Sequence, residues 1–255
     1  MTESRSPGHP PRDATPPALR EVDAGSADVG VVIVAGGSSS RAGGAQGELK
    51  QFRWVGDKPM LLHAVHAFQR RADVALVVCV LPRASAGDPP PWLFQCDLDR
   101  LLVSTGGATR GESVWSGLED LPPELGIAVI HDAARPLVTD ATIDAVIREA
   151  RKGHGAVAAL PVVDTLKAVD DQGRITSTVD RAGLWRAQTP QAFPLRMIEH
   201  AYVEARRAGA TATDDAALCE QLGLDVVVVR GSERAMKITD LSDFALAERL
   251  MGLED

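Results

Sequence analysis

Two cations and a run of small residues stand near the start of the chain. VGVVIVAGGSSSRAGGAQGELKQ, Val29 to Gln51, is an apolar run that breaks into glycines and serines and then supplies Arg41 and Lys50. A buried strand that ends in a small-residue loop exposes several backbone N–H groups at one place, and such a loop wraps a chain of phosphates. Mobile positive charge beside it suits a reaction in which negative charge builds up on phosphorus. A plain strand-to-helix turn with two solvated cations has the same appearance, so this stretch alone leaves both readings open. Two familiar phosphate loops are excluded. A Walker A loop needs Ser or Thr after its lysine, yet Lys50 is followed by Gln51. A dinucleotide fingerprint needs GxGxxG, yet Gly36 and Gly37 are adjacent and serines follow.

Two further clusters fall where strands should end, and in open α/β sheets the carboxyl ends of strands form the ligand crevice. VIHDAARP, Val129 to Pro136, delivers Asp132 and Arg135. Asp132 suits a magnesium ion or a sugar hydroxyl, and Arg135 suits a phosphate held by forked hydrogen bonds; an internal salt bridge closing the loop is the competing reading. GGATRGESV, Gly106 to Val114, offers a second glycine turn with Arg110 and Ser113, suited to a nucleobase edge. The competing reading there is a helix start with Glu112 as its first-turn anion.

The elements that must position these groups follow from the alternation of apolar runs with helical patterns, which implies a mainly parallel sheet covered by helices on both faces. Strands are expected at Val29–Val34, Val74–Leu81, Leu101–Ser104, Ile127–His131, Gly155–Leu160 and Val226–Val229. Helices are expected at Met60–Arg70, Glu112–Asp120, Asp140–Lys152 with Asp140 as cap, Pro194–Ala208, Thr213–Leu222 and Ser242–Met251. Ala84–Trp92 reads as a loop. Val162–Val169 and Arg174–Val179, joined by Asp170-Asp171-Gln172-Gly173, read as a hairpin protruding over about 161–190, a candidate dimerisation arm.

At 255 residues and 45% hydrophobic the chain can build one large α/β domain, expected over 29–255. Residues 1–28, rich in Pro, Ser and charge and without the apolar core of a secretion signal, read as a disordered tail. A net charge of −8 argues against nucleic acid as partner, so an anionic substrate needs a local cationic pocket. No apolar run approaches the roughly 20 residues of a membrane span. Cys79, Cys96 and Cys219 are widely spaced and read as reduced, buried thiols of a cytoplasmic protein.

GGATRGESVWSGL, VIHDAARP, LPVVDTLKAVD, DRAGLWRAQTPQAF, ATDDA and MKIT, taken in this order, resemble the 2-C-methyl-D-erythritol 4-phosphate cytidylyltransferase family from Val29 to Met251. The resemblance implies a nucleotidyltransferase-type twisted α/β sheet and transfer of CMP from CTP to a sugar-alcohol phosphate, with Mg2+ as cofactor and a homodimer built through the arm. It implies that Ala35, Gly36 and Gly37 cradle the triphosphate, and that Arg41 and Lys50 stabilise the transition state and the leaving pyrophosphate. Gly107 and Ser113 would hold cytosine, and Asp132 would sit by the ribose, the metal and the acceptor. Lys237 would hold the acceptor phosphate, with Thr189, Thr213 and Arg135 beside it. Thr165 and Arg181 would complete the neighbouring subunit's acceptor site. For Asp164, Asp214 and Asp215 capping or salt bridging is the expectation.

The chain departs from the family pattern in its first loop, where Arg41 comes one place late and Leu49 replaces a proline before Lys50, and at Ala235, which replaces a polar residue. Ribitol-5-phosphate cytidylyltransferase is the alternative with the same chemistry, and a catalytically impaired nucleotide-binding homologue is the alternative of another class. The alanines of HDAARP, with DTLK and TDDA, favour the methylerythritol enzyme. The four cations Arg41, Lys50, Arg181 and Lys237 argue against a pure binder.

Overall fold

Six aliphatic and β-branched runs of five to eight residues, too short for buried helices, pair with one longer and more polar strand into the sheet that carries everything else. The computed structural model describes residues 27–36 and 49–252. Gly37, Arg41, the spacing between Arg41 and Lys50, and the expected tail up to residue 26 lie outside the described residues. In chain order the elements are β1 (Val29–Val34), β2 (Trp54–Val55), β3 (Lys58–Pro59), α1 (Met60–Gln69), β4 (Val74–Leu81), α2 (Arg83–Ala86), β5 (Leu101–Thr105), α3 (Arg110–Glu119), β6 (Ile127–Asp132), α4 (Asp140–Arg151), β7 (Gly155–Pro161), β8 (Leu166–Val169), β9 (Ile175–Val179), β10 (Trp185–Pro194), α5 (Leu195–Ala208), α6 (Asp215–Gln221), β11 (Val226–Arg230) and α7 (Leu241–Met251).

Seven strands form one sheet in the order β11-β7-β10-β6-β1-β4-β5, parallel except for β10, which runs antiparallel to both β6 and β7. One face packs on α1 and α4 through Val31, Ile33, Phe68, Ile143 and Ile147; the other packs on α3, α5 and α6 through Val32, Ile130, Leu118, Phe193 and Ile198. With both faces covered, β1 is apolar throughout instead of alternating. A smaller cluster of Val55, Met60, Ile238, Phe244 and Ala247 fastens α7 and the segment before it near the start of α1.

The mainly parallel α/β architecture expected from the sequence is present, and four details differ. Thr139, not Asp140, caps α4: its extended backbone lets Oγ1 accept from the Thr142 N–H at 3.3 Å. Asp140 is instead the first helical residue, where an anion also suits the helix dipole. Pro82 and Pro90 each precede a short helical turn, Arg83–Ala86 and Pro91–Gln95, and these overlap the two ends of the Ala84–Trp92 stretch read as loop. Asp28, assigned to the tail, is buried and bonded to Arg151 at 2.6 Å.

The fourth difference concerns β10. TPQAF, Thr189 to Phe193, straddles the expected end of the arm at about 190, yet it lies wholly within the buried part of a ten-residue central strand. β10 already pairs with β7 at Trp185, so the hairpin leaves the sheet at Val162, whose N–H bonds Leu184 O, and returns at Leu184. The arm therefore ends short of 190. Within it β8 and β9 pair only with each other, and the Asp170 carboxylate accepts from the Gln172 and Arg174 amides to shape the turn. Phe193 in β10 is fully buried between β6, β7 and α5. Replacing Phe193 with Ala should cost about 3–5 kcal/mol of stability. A urea midpoint that moves by less than the equivalent of about 1 kcal/mol would contradict the central place of β10.

Candidate active site

Val34 at the end of β1 lies in register with Asp132 at the end of β6 and with Val80 near the end of β4. The chain leaving β1 (Ala35, Gly36), the turn leaving β5 (Gly106, Gly107) and the loop leaving β6 (Ala133, Ala134) therefore meet at one edge of the sheet. A cavity of about 380 Å³ opens there, and Lys50, Asp132, Lys237, Arg110 and Ser113 line it together with Ala35, Gly36 and Gly107.

The glycine turn is built by its helix. Thr109 and Glu112 form a reciprocal capping box on α3, and the Glu112 carboxylate also accepts from the Ala108 N–H at 2.6 Å. Ser113 Oγ donates to Thr109 O at 2.9 Å and accepts from Gly107 N–H at 3.2 Å. A Cβ on Gly107 would stand 2.3 Å from the Glu112 Cβ, so only glycine lets the turn lie this close to the helix. Ser113 thus shapes the turn as well as lining the cavity.

Asp132 is the one carboxylate among the described residues that line this cavity. Lys237 Nζ donates to its Oδ2 at 2.7 Å and Arg110 Nε to its Oδ1 at 3.2 Å. Burial alone would raise this carboxyl, but the Arg110 and Lys237 charges outweigh it and hold it well below the ordinary carboxylate range. Its backbone is fixed from the other side. His131 Nε2 meets Arg135 O at 3.0 Å, and a carbonyl only accepts, so Nε2 carries the proton. His131 Nδ1 then accepts from the Thr189 hydroxyl at 3.2 Å, and Thr189 Oγ1 accepts from the Asp132 N–H at 3.0 Å.

Lys50 and Lys237 converge although far apart in the chain. Lys50 Nζ donates to Ile238 O at 2.6 Å, next to Lys237 in sequence, and the Ile238 N–H bonds Ala134 O at 2.8 Å. Gln51, buried beside Lys50, donates to Ala35 O at 2.6 Å and ties the residue after the first loop to the residue before it. Among the described residues no group of three His, Cys, Asp or Glu side chains stands ready to hold a metal. A single carboxylate beside cations fits a cation that takes its other ligands from substrate phosphates and water.

Other expected site residues lie elsewhere. Thr189 is buried and its hydroxyl is spent on His131 and Asp132. Arg135 neither lines the cavity nor pairs with the Asp132 carboxylate: it turns inward and donates from Nη1 to Ala235 O at 2.7 Å, which steadies the segment that bears Lys237. Thr213 lines a neighbouring cavity of about 820 Å³ between α3 and α5, which shares Gly107 and Arg110 with the first. Thr165 and Arg181 sit on the exposed hairpin, where Arg181 donates to Val163 O. Asp214 caps α6 and Asp215 pairs with Arg110, as expected of them. The Arg110 bridge itself was not foreseen; the pairing of an arginine in GGATRGES with acids in ATDDA has no local signature.

A family model described as 2-C-methyl-D-erythritol 4-phosphate cytidylyltransferase matches residues 29–253. A protein of that name from Streptomyces coelicolor is 43% identical over 230 residues, covering 86% of this chain and 83% of its own. Another, from Desulforamulus reducens, is 38% identical over 222 residues, covering 86% and 94%. The crystal structure of the Thermus thermophilus protein of the same name superposes with a TM-score of 0.75 at 34% identity, covering 89% of this chain and all (100%) of that one. That of 4-diphosphocytidyl-2C-methyl-D-erythritol synthase from Anaerococcus prevotii gives 0.77 at 26% identity, covering 88% and 96%.

The relay behind Asp132 has a pH signature. Burial depresses the His131 ring to about 4, against the Arg135 carbonyl and the Asp132 charge, which favour its proton. Between about 6.5 and 4 the unfolded chain binds a proton that the folded chain refuses, so this contribution to stability is complete above 6.5 and declines as the pH falls. The loss should reach about 3 kcal/mol at most near pH 4. Urea unfolding at a series of pH values should show this decline in the native protein and a flatter profile in His131→Asn. Parallel profiles would mean that the ring takes up its proton in the fold at the same pH as in the unfolded chain.

Proposed function

This chain belongs to the 2-C-methyl-D-erythritol 4-phosphate cytidylyltransferase family, and on that premise we propose that its strand-end cavity binds CTP and transfers CMP to 2-C-methyl-D-erythritol 4-phosphate, releasing pyrophosphate. The observation that carries the reading is the convergence of Lys50, Lys237 and Asp132 with Gly36 and Gly107 on one cavity. The relatives compared above carry the methylerythritol name, which favours this acceptor over ribitol phosphate.

A phosphate oxygen of the acceptor attacks the α-phosphorus of CTP in line, and the bond to the departing pyrophosphate breaks. The protein needs no covalent nucleophile: it positions two anions and offsets their charge. The backbone at Ala35 and Gly36, with Gly37 beyond the described residues, cradles the triphosphate. Lys50, joined by Arg41 from the same first loop, neutralises charge on the α-phosphoryl group and the leaving group. Gly107 presents backbone groups to cytosine, with Ser113 shaping that turn and lining the cavity. Lys237 holds the acceptor phosphate, and Asp132 orients Lys237 and the sugar hydroxyls. A Mg2+ ion would be held mostly by the phosphates of CTP, with Asp132 as its nearest carboxylate. When bound, it offsets charge on the pyrophosphate.

The arm supports a homodimer. Val163, Val169 and Ile175 are each more than half exposed on a two-stranded hairpin that has no partner layer among the described residues. In that dimer Thr165 and Arg181 reach the neighbour's acceptor site, with Thr189, Thr213 and Arg135 shaping it from behind. The three buried, unpaired thiols Cys79, Cys96 and Cys219 suit a reducing, cytoplasmic setting. No described helix is long and apolar enough to cross a membrane.

Purified protein given CTP, Mg2+ and either methylerythritol phosphate or ribitol phosphate should release pyrophosphate with the former. Release with ribitol phosphate alone would reassign the acceptor, and none with either would favour a nucleotide-binding homologue. Lys50→Ala and Lys237→Ala should each lower turnover at least about 100-fold; wild-type rates would remove both from the chemistry. Light scattering should give a dimer. Mixing Lys237→Ala with Arg181→Ala, each inactive alone, should restore part of the activity if the arm completes its neighbour's site, and no recovery from a mixed dimer would refute the crossing.

A further inference from the structure

Arg110 is given no step in the transfer above, yet it lines both cavities and bonds two carboxylates from different elements. It is the first residue of α3, placed by the Thr109–Glu112 capping box. Its two terminal nitrogens grip the Asp215 carboxylate, Nη1 on Oδ1 at 3.0 Å and Nη2 on Oδ2 at 2.8 Å, while its remaining nitrogen, Nε, donates to Asp132 Oδ1 at 3.2 Å. Asp215 is fully buried at the start of α6 and also accepts from the Tyr202 hydroxyl at 2.6 Å. Its own place is secured by Asp214, which caps α6, and by Gln191 of β10, which donates to Asp214 at 2.9 Å and accepts from the Ala216 N–H at 3.1 Å.

We propose that Arg110 is a positioning residue for the transfer reaction: gripped by Asp215 and Tyr202, it fixes the Asp132 side chain so that its other oxygen presents Lys237 to the acceptor. The inference rests on the CTP-to-acceptor reading above. The geometry requires a planar fork. Both oxygens of Asp215 occupy the outer nitrogens, so Nε is aimed at Asp132 by the grip itself; a lysine has one nitrogen and cannot hold both carboxylates in this way. A mere tie between α3 and α6 would need the Asp215 contacts and not the third one. The glycine turn expected to hold cytosine is secured independently, by Leu81 O, Glu112 and Ser113. Loosening the Asp215 grip therefore disturbs Asp132 and Lys237 first and leaves the cytosine turn, the part of the site that selects the nucleotide, in place.

Steady-state kinetics with CTP, Mg2+ and methylerythritol phosphate, with circular dichroism and melting curves alongside, test this on Asp215→Asn, Arg110→Gln and Arg110→Lys. In Asp215→Asn the expected result is a kcat at least tenfold lower and an acceptor KM at least fivefold higher, with the KM for CTP changed less than twofold. Arg110→Lys should be no better than Arg110→Gln. If Asp215→Asn does not fold, Tyr202→Phe takes its place, with kcat lowered two- to fivefold in the same pattern. Wild-type kcat in whichever of the two folds, a CTP KM that rises in step with the acceptor KM, or rescue by Arg110→Lys would overturn the inference while leaving the activity standing. A wild-type protein without pyrophosphate release would overturn the functional reading and this inference with it.

Discussion

A carboxylate at the end of a buried central strand has to be compensated, and the compensation of Asp132 organises this molecule. Removed from water without partners it would protonate or unfold the strand end. Arg110 from α3 and Lys237 from the segment before α7 supply charge, and Thr189 from β10 supplies an acceptor for its backbone N–H. Each of these residues comes from a different element, so satisfying one group locks four parts of the chain to one another. A well-satisfied buried network of this kind rigidifies the place where two substrates must be held in line.

The same requirement explains residues that carry no chemistry. Arg135 is half-buried and donates from Nη1 to Ala235 O, which holds the segment that presents Lys237. His131 is fully buried and neutral because its two ring nitrogens link Arg135 O to the Thr189 hydroxyl, keeping the strand end at a fixed height. Around this rigid floor stand the glycine turns, whose backbone comes close because no Cβ intervenes. Lys50 reaches across to Ile238 O and meets the same segment. Lys50 and Lys237 thus share one segment, fastened through the Ile238 N–H to the loop leaving β6, which limits their reorganisation when phosphate charge arrives.

Much of this was legible in order along the chain. The apolar runs that became β1, β4, β6 and β7 could hardly be anything but buried strands, and the Asp132 and Gly107 motifs fell at strand ends as expected. The hairpin was legible from its turn, since Asp170 and Gly173 have local reasons to stand where they do. β10 was not legible in full. Pro190, Gln188 and Gln191 break the pattern of a buried strand, and they are tolerated because the pairing with β7 shifts register between Ala187 and Gln191, while Gln191 reaches out to cap-side groups of α6.

The family, the chemistry and the order of the elements are properties of local pattern: composition of short runs, glycine turns, and motifs whose residues act within a few positions of one another. Partnership across the chain is of another kind. That Arg110 would grip Asp215 and touch Asp132, that Arg135 would turn inward, and that Thr189 would be consumed in holding a backbone amide were decided only when the sheet brought β6, β10, α3 and α6 to one edge. A charged side chain in sequence declares what it can bind, whereas the geometry and burial of competing partners settle which of them it does bind.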